Sequence, residues 1–474
     1  MKMSPTGFRQ KLVKFFGFVK NKVYLNLDFK LPKGRSSFLL NPPTSQYKLY
    51  KCLQDLNIIS LPTITIIFIK VRYIINKMKK TNAQKFKVLD LFAGCGGLSK
   101  GFEQAGFDVI AANDILGHAM QTYKRNHPQS KFFFGDITQP GIKQDIIDYV
   151  KNKGCDVIVG GPPCQAYSLA GFRDPDDPRG KLFEEYVEIV NSVKPKIFVM
   201  ENVKGILTMK HDKENLSKEQ MDRLNLLRKL EREKKELLVS RKQFKNNPER
   251  YKFDKPEEQR LEELNSEIKI AKMGLGNYEE KVTDQIINRF AKIGYNVKFE
   301  LLNSANYGVP QRRERVIFIG TQSGKIGYPE PTHNKEGSVN LKKWVSVKEA
   351  IGDLEDRDED ILFNHIMTSH NKEFKEKIKN TPIGKSIFGN FSDAFFRSYP
   401  DQPSRTVKEN HGGVFVHYKN NRVMTPRELA RLQSFPDDFI FEGSKSQQLV
   451  QIGNAVPVGL AKAIAENIRD LLEN

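Results

Sequence analysis

Residues 87–97 read Lys-Val-Leu-Asp-Leu-Phe-Ala-Gly-Cys-Gly-Gly, and this stretch decides the fold of the 474-residue chain. The apolar run over residues 87–92 predicts a buried strand, which the glycine-rich segment brings to an end. Leu98, Phe102 and Ala105 then recur at helical spacing and predict an amphipathic helix. A strand, a tight glycine-rich turn and a helix are therefore expected to follow one another directly.

Four more apolar runs predict strands farther along the chain, with helical patterns between them. They cover residues 109–112, 132–134, 157–159 and 197–200. Strands that alternate with helices predict an α/β fold with a doubly wound, mostly parallel sheet, in which ligands bind at the carboxyl ends of the strands. The residues at or near those ends include Asp90, Asp114, Asp136, Cys164 and Glu201. We therefore expect one functional site along this edge of the sheet.

The composition is typical of a globular protein with a basic surface. Hydrophobic residues make up 39% and charged residues 28% of the chain, which allows a sizeable core. The formal net charge of +20 favours a polyanionic partner, most simply nucleic acid. The four cysteines are Cys52, Cys95, Cys155 and Cys164. Their spacing matches neither a metal site nor a disulfide framework, so we expect no bound metal and a reducing cytoplasm.

Residues 1–77 carry much of the positive charge, with 14 Lys and Arg against 2 acidic residues. The apolar run over 58–69 contains Pro62 and is too short to span a bilayer, and no secretory cleavage pattern follows it. Met78 opens a stretch that resembles an ordinary protein start. Two hypotheses stay open: residues 1–77 are a misassigned upstream extension, or they are a basic arm that contacts phosphates.

The rest of the chain divides by composition. Residues 84–320 predict a catalytic domain, interrupted over 210–277 by a charged insertion that predicts a hairpin of two helices. This hairpin is either a solvated spacer or an arm that binds DNA or a partner. Residues 321–422, rich in Gly, Pro, Asn and Lys, predict a smaller irregular domain. Residues 423–474 predict two helices that complete the catalytic domain: one over 425–435 with Thr425 as its N-cap, and a last one over 458–472.

The glycine-rich turn and Asp114 together indicate a nucleotide-like ligand. Asp114 follows Gly94 by 20 residues, the offset at which a carboxylate meets ribose hydroxyls in nucleotide-binding folds. No Lys-Ser or Lys-Thr pair follows the glycines, which disfavours a phosphate-binding P-loop. An adenosine cofactor without phosphates suits the site, with Asp136 beside the adenine.

Cys164 stands directly after Pro162 and Pro163 at the end of a predicted strand. Proline restricts the backbone, so the thiol can be directed with little conformational freedom to lose. Taken alone, this cysteine is either a buried structural residue beside a turn or a nucleophile. The other motifs of the chain decide between these interpretations.

Six sequence blocks occur in a characteristic order. They are residues 90–97 (Asp-Leu-Phe-Ala-Gly-Cys-Gly-Gly), 162–165 (Pro-Pro-Cys-Gln), 201–203 (Glu-Asn-Val), 311–315 (Gln-Arg-Arg-Glu-Arg), 427–433 (Arg-Glu-Leu-Ala-Arg-Leu-Gln) and 453–456 (Gly-Asn-Ala-Val). Over residues 86–210 and 280–474, the chain resembles a DNA (cytosine-5)-methyltransferase of the bacterial restriction–modification type. The resemblance implies a Rossmann-like catalytic domain that binds S-adenosylmethionine and a target-recognition domain over residues 321–422. It also implies methylation of a cytosine that has been flipped out of duplex DNA.

The resemblance implies a role for each matching residue. Cys164 would attack cytosine C6, and Glu201 would share a proton with N3. Arg313 and Arg315 would stabilise charge near the base. The residues implied to bind the cofactor are Phe92, Ala93, Gly94, Gly96, Gly97, Asp114, Ile115, Asp136, Ile137, Pro162, Leu182, Asn454 and Val456. Those implied to bind DNA are Gln165, Ser168, Arg173 and Gln311, with residues 166–180 as a flap over the flipped base.

Alternative functions remain at this stage. A tRNA cytosine-5 methyltransferase would keep the same Pro-Pro-Cys and Glu-Asn-Val blocks, and a DNA-binding module with an inactive site would keep the fold. Amino-methylating enzymes are disfavoured because they usually carry an aromatic residue where Cys164 stands. We expect a monomer in the cytoplasm, associated with the nucleoid. A cognate restriction endonuclease would act on the same DNA site without forming a stable complex.

Overall fold

The computed structural model describes the greater part of the chain. The described residues are 85–163, 181–213, 216–273, 275, 278–389, 394–409 and 415–473. They belong to one compact unit that runs from Lys85 to Asn474. The predictions for residues 1–77 and for the segment that begins at Cys164 lie outside the described residues.

The secondary structure alternates as predicted in the first half of the unit. The strands are β1 (Lys87–Leu91), β2 (Asp108–Asp114), β3 (Lys131–Phe134), β4 (Val157–Gly160), β5 (Ile197–Val203), β6 (Lys210–Asp212), β7 (Glu279–Lys281), β8 (Asn296–Asn303), β9 (Glu314–Thr321), β10 (His333–Asn334) and β11 (Lys342–Lys343). The α-helices are α1 (Gly97–Gln104), α2 (Gly117–Asn126), α3 (Pro140–Lys153), α4 (Lys181–Val193), α5 (Lys218–Asn246), α6 (Lys255–Met273), α7 (Val282–Lys292), α8 (Val347–Ile351), α9 (Lys372–Lys379), α10 (Pro426–Leu432), α11 (Lys445–Asn454) and α12 (Val458–Glu473).

The central sheet has seven strands in the order β3-β2-β1-β4-β5-β9-β8. Strands β1 to β5 run parallel to one another, whereas β9 runs antiparallel to both β5 and β8. This topology confirms the predicted α/β fold with a doubly wound, mostly parallel sheet. Since strand order reverses beside β1, the crevice at the carboxyl ends of β1 and β4 is where such folds bind ligands.

Both faces of the sheet are covered, and the alternation along β4 shows why. Val157 and Val159 pack in the core shared with α1 and α12, whereas Ile158 packs in the core shared with α3, α4 and α7. Successive side chains of a strand point to opposite faces, so a continuously apolar strand is stable only between two layers of helices. The apolar run in the sequence therefore follows from burial on both sides.

A second hydrophobic core lies within the C-terminal half of the unit. It contains Val347, Ile351, Phe415, Leu429 and Phe439, and Ile452 and Val458 connect it to the last two helices. The sequence predicted a largely irregular segment here, and α8 and α9 are indeed its longest regular elements between residues 321 and 400 among those described. The division of the compact unit into catalytic and target-recognition domains stays a prediction.

Helix α10 begins as predicted and ends earlier than predicted. Thr425 accepts a hydrogen bond from the Glu428 backbone N–H, and the Glu428 side chain accepts one from the Thr425 N–H, which completes a capping box. The helix ends at Leu432 rather than at Phe435 because Ser434 adopts a left-handed conformation (φ 58°). A non-glycine residue in that region breaks the helical hydrogen-bond pattern.

The charged insertion forms the predicted helical hairpin. Helices α5 and α6 pack through their own small core, which includes Leu224, Leu227, Leu264 and Ile268. Helix α5 ends at Asn246, the first residue of the Asn246-Asn247-Pro248 segment that interrupts the insertion. Within the part of the chain that the structure describes, no helix is long and apolar enough to cross a membrane.

Candidate active site

The predicted site residues lie along one edge of the sheet. Parallel pairing aligns Asp114 with Phe134 and Gly160 with Met200, so the strands β1 to β5 all end at the same side. Strand β9 is antiparallel, so its beginning lies at this edge, where Arg315 is paired with Val203. Residues that are far apart in sequence therefore meet here because the topology brings their strand ends together.

Glu201 and Arg315 form an ion pair at this edge. The Arg315 Nε lies 2.7 Å from Glu201 Oε1, and the two side chains keep 13% and 12% of their surface exposed, Glu201 and Arg315 respectively. Glu201 is opposite Ile317 in the register, and an arginine two residues away on the partner strand is long enough to reach it diagonally. The pair is thus held by two strands, yet it remains open to a ligand.

The loop that leads to Cys164 lies directly against this pair. A Cβ atom on Gly161 would stand 2.9 Å from Glu201 Oε2, so only glycine allows the loop to approach the carboxylate this closely. Asn202 Nδ2 donates a hydrogen bond to the Pro162 carbonyl at 3.3 Å. The end of β5 therefore fixes the backbone two residues before Cys164.

The two other cysteines of the described chain are unsuited to nucleophilic attack. Cys95 is buried and its thiol donates to the Gln451 carbonyl, and burial raises its pKa well above the ordinary value. Cys155 donates to the Val157 carbonyl, and burial raises its pKa to about 12. A nucleophilic cysteine must be a thiolate, so neither residue is a candidate.

Asp114 lies at the carboxyl end of β2, against the glycine-rich turn. Its Oδ2 accepts a hydrogen bond from the Gly94 N–H at 2.8 Å and its Oδ1 accepts one from the Leu116 N–H at 2.9 Å. Burial raises the pKa of Asp114, although these two backbone donors oppose the rise. Each carboxylate oxygen keeps a second lone pair for a hydroxyl group. Next to it, Ile115 is 57% exposed and offers an apolar surface that suits a flat base.

The glycine-rich turn is shaped for close backbone approach. Phe92, Gly94 and Gly96 all have positive φ angles, of 56°, 54° and 98° respectively. A side chain on Gly97 would collide with the Val456 carbonyl, so the start of α1 lies directly against the segment before α12. Strained non-glycine residues such as Phe92 are costly and tend to occur at ligand sites. The turn therefore fits the adenosine cofactor that the sequence predicts.

The remaining residues predicted to bind the cofactor differ in how far their side chains are exposed. Asp136 is partly exposed and its Oδ1 accepts a hydrogen bond from the Thr138 N–H at 2.9 Å. Ile137 is 2% exposed and belongs to the core, so any contact with a cofactor would come from its backbone. Leu182 packs on the same core, and Asn454 is exposed at the end of α11. Ala93, in contrast, packs in a small cluster with Ala112 and Tyr123.

Arg313 is buried, in contrast to Arg315 two residues later. Its two terminal nitrogens donate to the carbonyls of Val407 and Gly453, at 2.7 and 3.0 Å. Burial, and to a lesser extent the nearby Arg315 charge, lower its pKa to about 9 against the opposing effect of Glu201. Both terminal nitrogens of Arg313 are thus used inside the protein, and the role that the resemblance implies for it, stabilising charge near the base, stays a prediction.

Gln311 has no exposed surface, which corrects the expectation that it contacts DNA. Its Nε2 donates to the side chain of Gln433 at 2.6 Å and to the Leu432 carbonyl, and its Oε1 accepts from the Val407 N–H at 2.7 Å. Both polar ends are therefore used inside the protein. Gln311 ties the strand that carries Arg315 to helix α10.

Two further residues of the site were missed in the sequence. Asn202 fixes the Pro162 loop, and Ser99 donates to the Asp90 carboxylate at 2.6 Å beneath the glycine-rich turn. Burial raises the pKa of Asp90 to about 7, against the hydrogen bonds from Ser99. Asn202 stands inside a recognised block, which was the available signal, whereas nothing in the local sequence marks Ser99.

Four predicted site residues have no described position. Cys164, Gln165, Ser168 and Arg173 lie outside the described residues, as does the rest of the proposed flap. Their roles follow from the resemblance alone.

Comparisons with known proteins show which proteins the whole chain is similar to. The family model for C-5 cytosine-specific DNA methylases matches residues 86–227 and 272–470. The type II methyltransferase M1.HphI of Haemophilus parahaemolyticus is 33% identical over 402 residues, which cover 81% of this chain and 87% of that protein. The type II methyltransferase M.DdeI of Desulfomicrobium norvegicum is 32% identical over 442 residues, covering 82% and 89%.

A solved structure shows the same fold. It is an Escherichia coli prophage protein described as a DNA modification methyltransferase, with a TM-score of 0.56 and 23% identity. The match covers 82% of this chain and 100% of that one. The gap between the two segments of the family match, residues 228–271, falls within the helical hairpin.

Proposed function

This chain belongs to the C-5 cytosine-specific DNA methylase family, and on that premise we propose that it methylates cytosine by covalent catalysis from Cys164. Its substrate is DNA and its cofactor is S-adenosylmethionine, the cofactor of the family. The tRNA alternative is not favoured, because the similar curated proteins are type II DNA methyltransferases. The resemblance drawn from the sequence blocks is thereby confirmed.

One observation supports the chemical proposal above the others. The Glu201–Arg315 pair is partly exposed, and the loop that leads to Cys164 lies in contact with its carboxylate. A carboxylate and a guanidinium, together with the Cys164 thiol that the resemblance implies, would supply the groups that activation of a pyrimidine ring requires: a proton at N3, a donor for O2 and a nucleophile for C6.

The Cys164 thiolate forms a bond to C6 of the extruded cytosine, and the C5–C6 π electrons become available at C5. Glu201 holds a proton at N3, which draws electron density from C6 and makes the attack easier. Arg315 donates hydrogen bonds toward O2 while it keeps Glu201 in place. S-adenosylmethionine, when bound, would supply the electrophilic methyl group that the C5 electron pair accepts, with S-adenosylhomocysteine as the leaving group. Loss of the C5 proton to a base then expels the Cys164 sulfur from C6 and restores the aromatic ring.

Attack on C6 requires access to the face of the ring, which stacking in a duplex prevents. We infer that the target base is rotated out of the helix. Residues 166–180 are proposed to close over it, and residues 321–422 are proposed to read base edges in the major groove. Lysines and arginines around the cleft would contact phosphates, which makes binding sensitive to salt.

The proposed biological role rests on the similarity to type II methyltransferases. We propose that the chain protects host DNA in a restriction–modification system, in which an endonuclease recognises the same site without forming a stable complex. A monomer suffices, because each methyl transfer modifies one base on one strand. Cytoplasmic location with the nucleoid as the place of action is proposed on the same ground.

The decisive experiment combines methyl transfer with a covalent trap. Purified protein is incubated with tritiated S-adenosylmethionine and either plasmid DNA or total tRNA, and bisulfite sequencing then identifies the methylated cytosines. A duplex with 5-fluorocytosine at the identified target should form a stable complex, because fluorine blocks the release of Cys164 from C6. Tritium in tRNA alone would overturn the assignment of DNA as substrate.

The matched variants are Cys164→Ser and Cys155→Ser. Replacing Cys164 should abolish methyl transfer and the covalent complex while duplex binding persists, because a serine hydroxyl is a far weaker nucleophile than a thiolate. Replacing Cys155, whose thiol only donates to a backbone carbonyl, should leave turnover within about twofold of the unmodified protein. Full turnover by the Cys164 variant would contradict the proposed chemistry.

A further inference from the structure

The helical hairpin over residues 218–273 has an uneven distribution of charge. We define its tip as residues 234–255, which hold eight Lys and Arg against three acidic residues, a net charge of +5. Its base, residues 218–233 and 256–273, holds eight Lys and Arg against nine acidic residues, a net charge of −1. Positive charge is therefore concentrated at the end that lies farthest from the sheet.

Ion pairing accentuates this contrast. In the base, Arg260 pairs with Glu233 at 2.7 Å and with Glu267 at 2.8 Å, and Lys272 pairs with Glu231 at 2.8 Å. In the tip, five exposed basic residues form no ion pair with another described residue. They are Lys242, Lys245, Arg250, Lys252 and Lys255. The charge of the base is largely neutralised from within, whereas that of the tip is available to an external anion.

The hairpin is anchored beside the active site. Strand β6 begins at Lys210, nine residues after Glu201, and pairs with β7 to close the root of the insertion. Arg228 pairs with Asp212 of this ribbon, and Gln285 Nε2 donates to the Asp212 carbonyl at 2.9 Å. The root is therefore joined by backbone and side-chain contacts to the ribbon and through it to helix α7, only a few residues along the chain from the end of β5.

The length of the hairpin sets its reach. Helix α5 has 29 residues, which at a rise of about 1.5 Å per residue is roughly 43 Å. Stacked base pairs are separated by about 3.4 Å, so the tip can lie over duplex roughly a dozen base pairs from the root. A recognition site of a few base pairs is much shorter than this distance.

We propose that the hairpin tip binds the phosphate backbone of the substrate duplex outside the recognition site. The inference rests on duplex DNA being the substrate, as stated above. A cluster of flexible lysines suits this role, because each neutralised phosphate releases counterions and contributes affinity without reading sequence. The hairpin would extend the DNA footprint of the enzyme and retain it on long DNA, independently of the residues that recognise the target.

The test compares two triple variants that remove the same charge from the two ends of the hairpin. The tip variant carries Lys242→Gln, Lys245→Gln and Lys252→Gln. The base variant carries Lys218→Gln, Lys229→Gln and Lys269→Gln, all exposed and without an ion pair to another described residue. Both are measured on a 12-base-pair and a 40-base-pair duplex with the target at the centre, by fluorescence anisotropy over a series of salt concentrations. Thermal unfolding establishes that both variants are folded.

The tip variant should bind the 40-base-pair duplex about tenfold more weakly at 0.1 M salt. Its slope of log K against log salt should be shallower by roughly 2–3, the value expected for three lost phosphate contacts. Its binding to the 12-base-pair duplex should equal that of the unmodified protein, and the base variant should match the unmodified protein on both. Equal affinity and slope of the tip variant on the long duplex would overturn the proposal, and so would equal losses in both variants. Methyl transfer to the short duplex tests the proposed function separately, because it does not require the tip.

Discussion

Two clusters of charged residues lie within this protein, and they are built in opposite ways. At the edge of the sheet, Glu201 and Arg315 pair at 2.7 Å with both side chains still partly exposed. Inside the second core, Arg427 has no exposed surface and donates to the carbonyls of Phe363, Pro436 and Phe439. Both clusters come from sequence blocks that resemble the same enzyme family, yet only the first can meet a ligand.

The contrast shows that a charged residue can take part in catalysis only if it can still form hydrogen bonds to a ligand. A charged residue whose hydrogen bonds are all made inside the protein stabilises the fold instead. The Arg427 guanidinium donates its hydrogen bonds to backbone carbonyls, and burial lowers its pKa to about 10. Arg313 and Gln311 belong to this second type, although their motif also contains Arg315. A buried polar group with all its bonds satisfied gives a unique packing arrangement, whereas an exposed pair at a strand end remains free to exchange partners.

The largest effect is expected for a substitution in the Glu201–Arg315 pair. Glu201→Gln keeps the size of the side chain but cannot exchange a proton with cytosine N3, so we expect kcat to fall by about 10²–10⁴. Stability should change less than kcat, because the glutamine amide oxygen can still accept the hydrogen bond from Arg315 Nε. Single-turnover methyl transfer and thermal unfolding measure the two properties.

Glu314→Gln serves as the control for that substitution. Glu314 pairs with Lys204 at 2.8 Å on the exposed side of the same edge, with side-chain exposures of 59% for Lys204 and 42% for Glu314. An exposed pair of this kind contributes roughly 0–1 kcal/mol, so turnover should stay close to that of the unmodified protein. Equal losses in both variants would mean that charge at the edge matters but that Glu201 has no special role.

The second prediction concerns the buried cluster. Arg427→Met fills similar space but leaves several buried carbonyls without donors, so the free energy of unfolding should fall by about 3–5 kcal/mol. Chemical denaturation with urea measures the loss. The residual folded enzyme should keep its kcat, because Arg427 does not reach the edge of the sheet in this arrangement.

Arg431→Met on the same helix is the matched comparison. Arg431 pairs with Asp437 at 2.8 Å, and the carboxylates of Asp437 and Asp353 around it are 49% and 65% exposed. Water can replace such partners, so we expect a loss of about 1 kcal/mol. A loss as large as that of the Arg427 variant would remove the distinction between buried and exposed clusters.

The smallest expected effect concerns the cofactor. Asp114→Ala removes the acceptor for a ribose hydroxyl and frees the N–H groups of Gly94 and Leu116, so S-adenosylmethionine should bind about 10–100-fold more weakly. Asp108→Ala, at the opposite end of the same strand, should leave this affinity unchanged. Equilibrium dialysis or calorimetry measures both, and unchanged affinity of the Asp114 variant would exclude the ribose role.

Much of the fold could be predicted because the signals were local. The apolar runs of β1 to β5, the helical spacing of α1 and the break after Asn246 each depend on the residues concerned and their immediate neighbours. The antiparallel direction of β9 was not evident, because nothing in residues 314–321 encodes the direction of the strand beside it. That direction matters, since it places Arg315 at the carboxyl edge.

The candidate site shows the same division. Glu201 and Asp114 could be selected because each follows a buried strand. The difference between Arg313 and Arg315 could not, because residues two apart on an extended chain point to the same face and the local pattern does not distinguish them. Only the packed structure shows that the Arg313 guanidinium is covered by the backbone of Val407 and Gly453. Burial of that kind depends on elements about 100 residues away.

By itself, the sequence determined the kind of protein: a doubly wound sheet, a glycine-rich turn, an acid that follows it and an ordered set of family blocks. Only the tertiary structure decided which of the charged residues remain accessible. Local patterns record what each segment prefers, whereas exposure is a property of the whole packed chain. For the same reason, the contrast between the neutralised base and the charged tip of the hairpin became visible only when helices α5 and α6 were seen side by side.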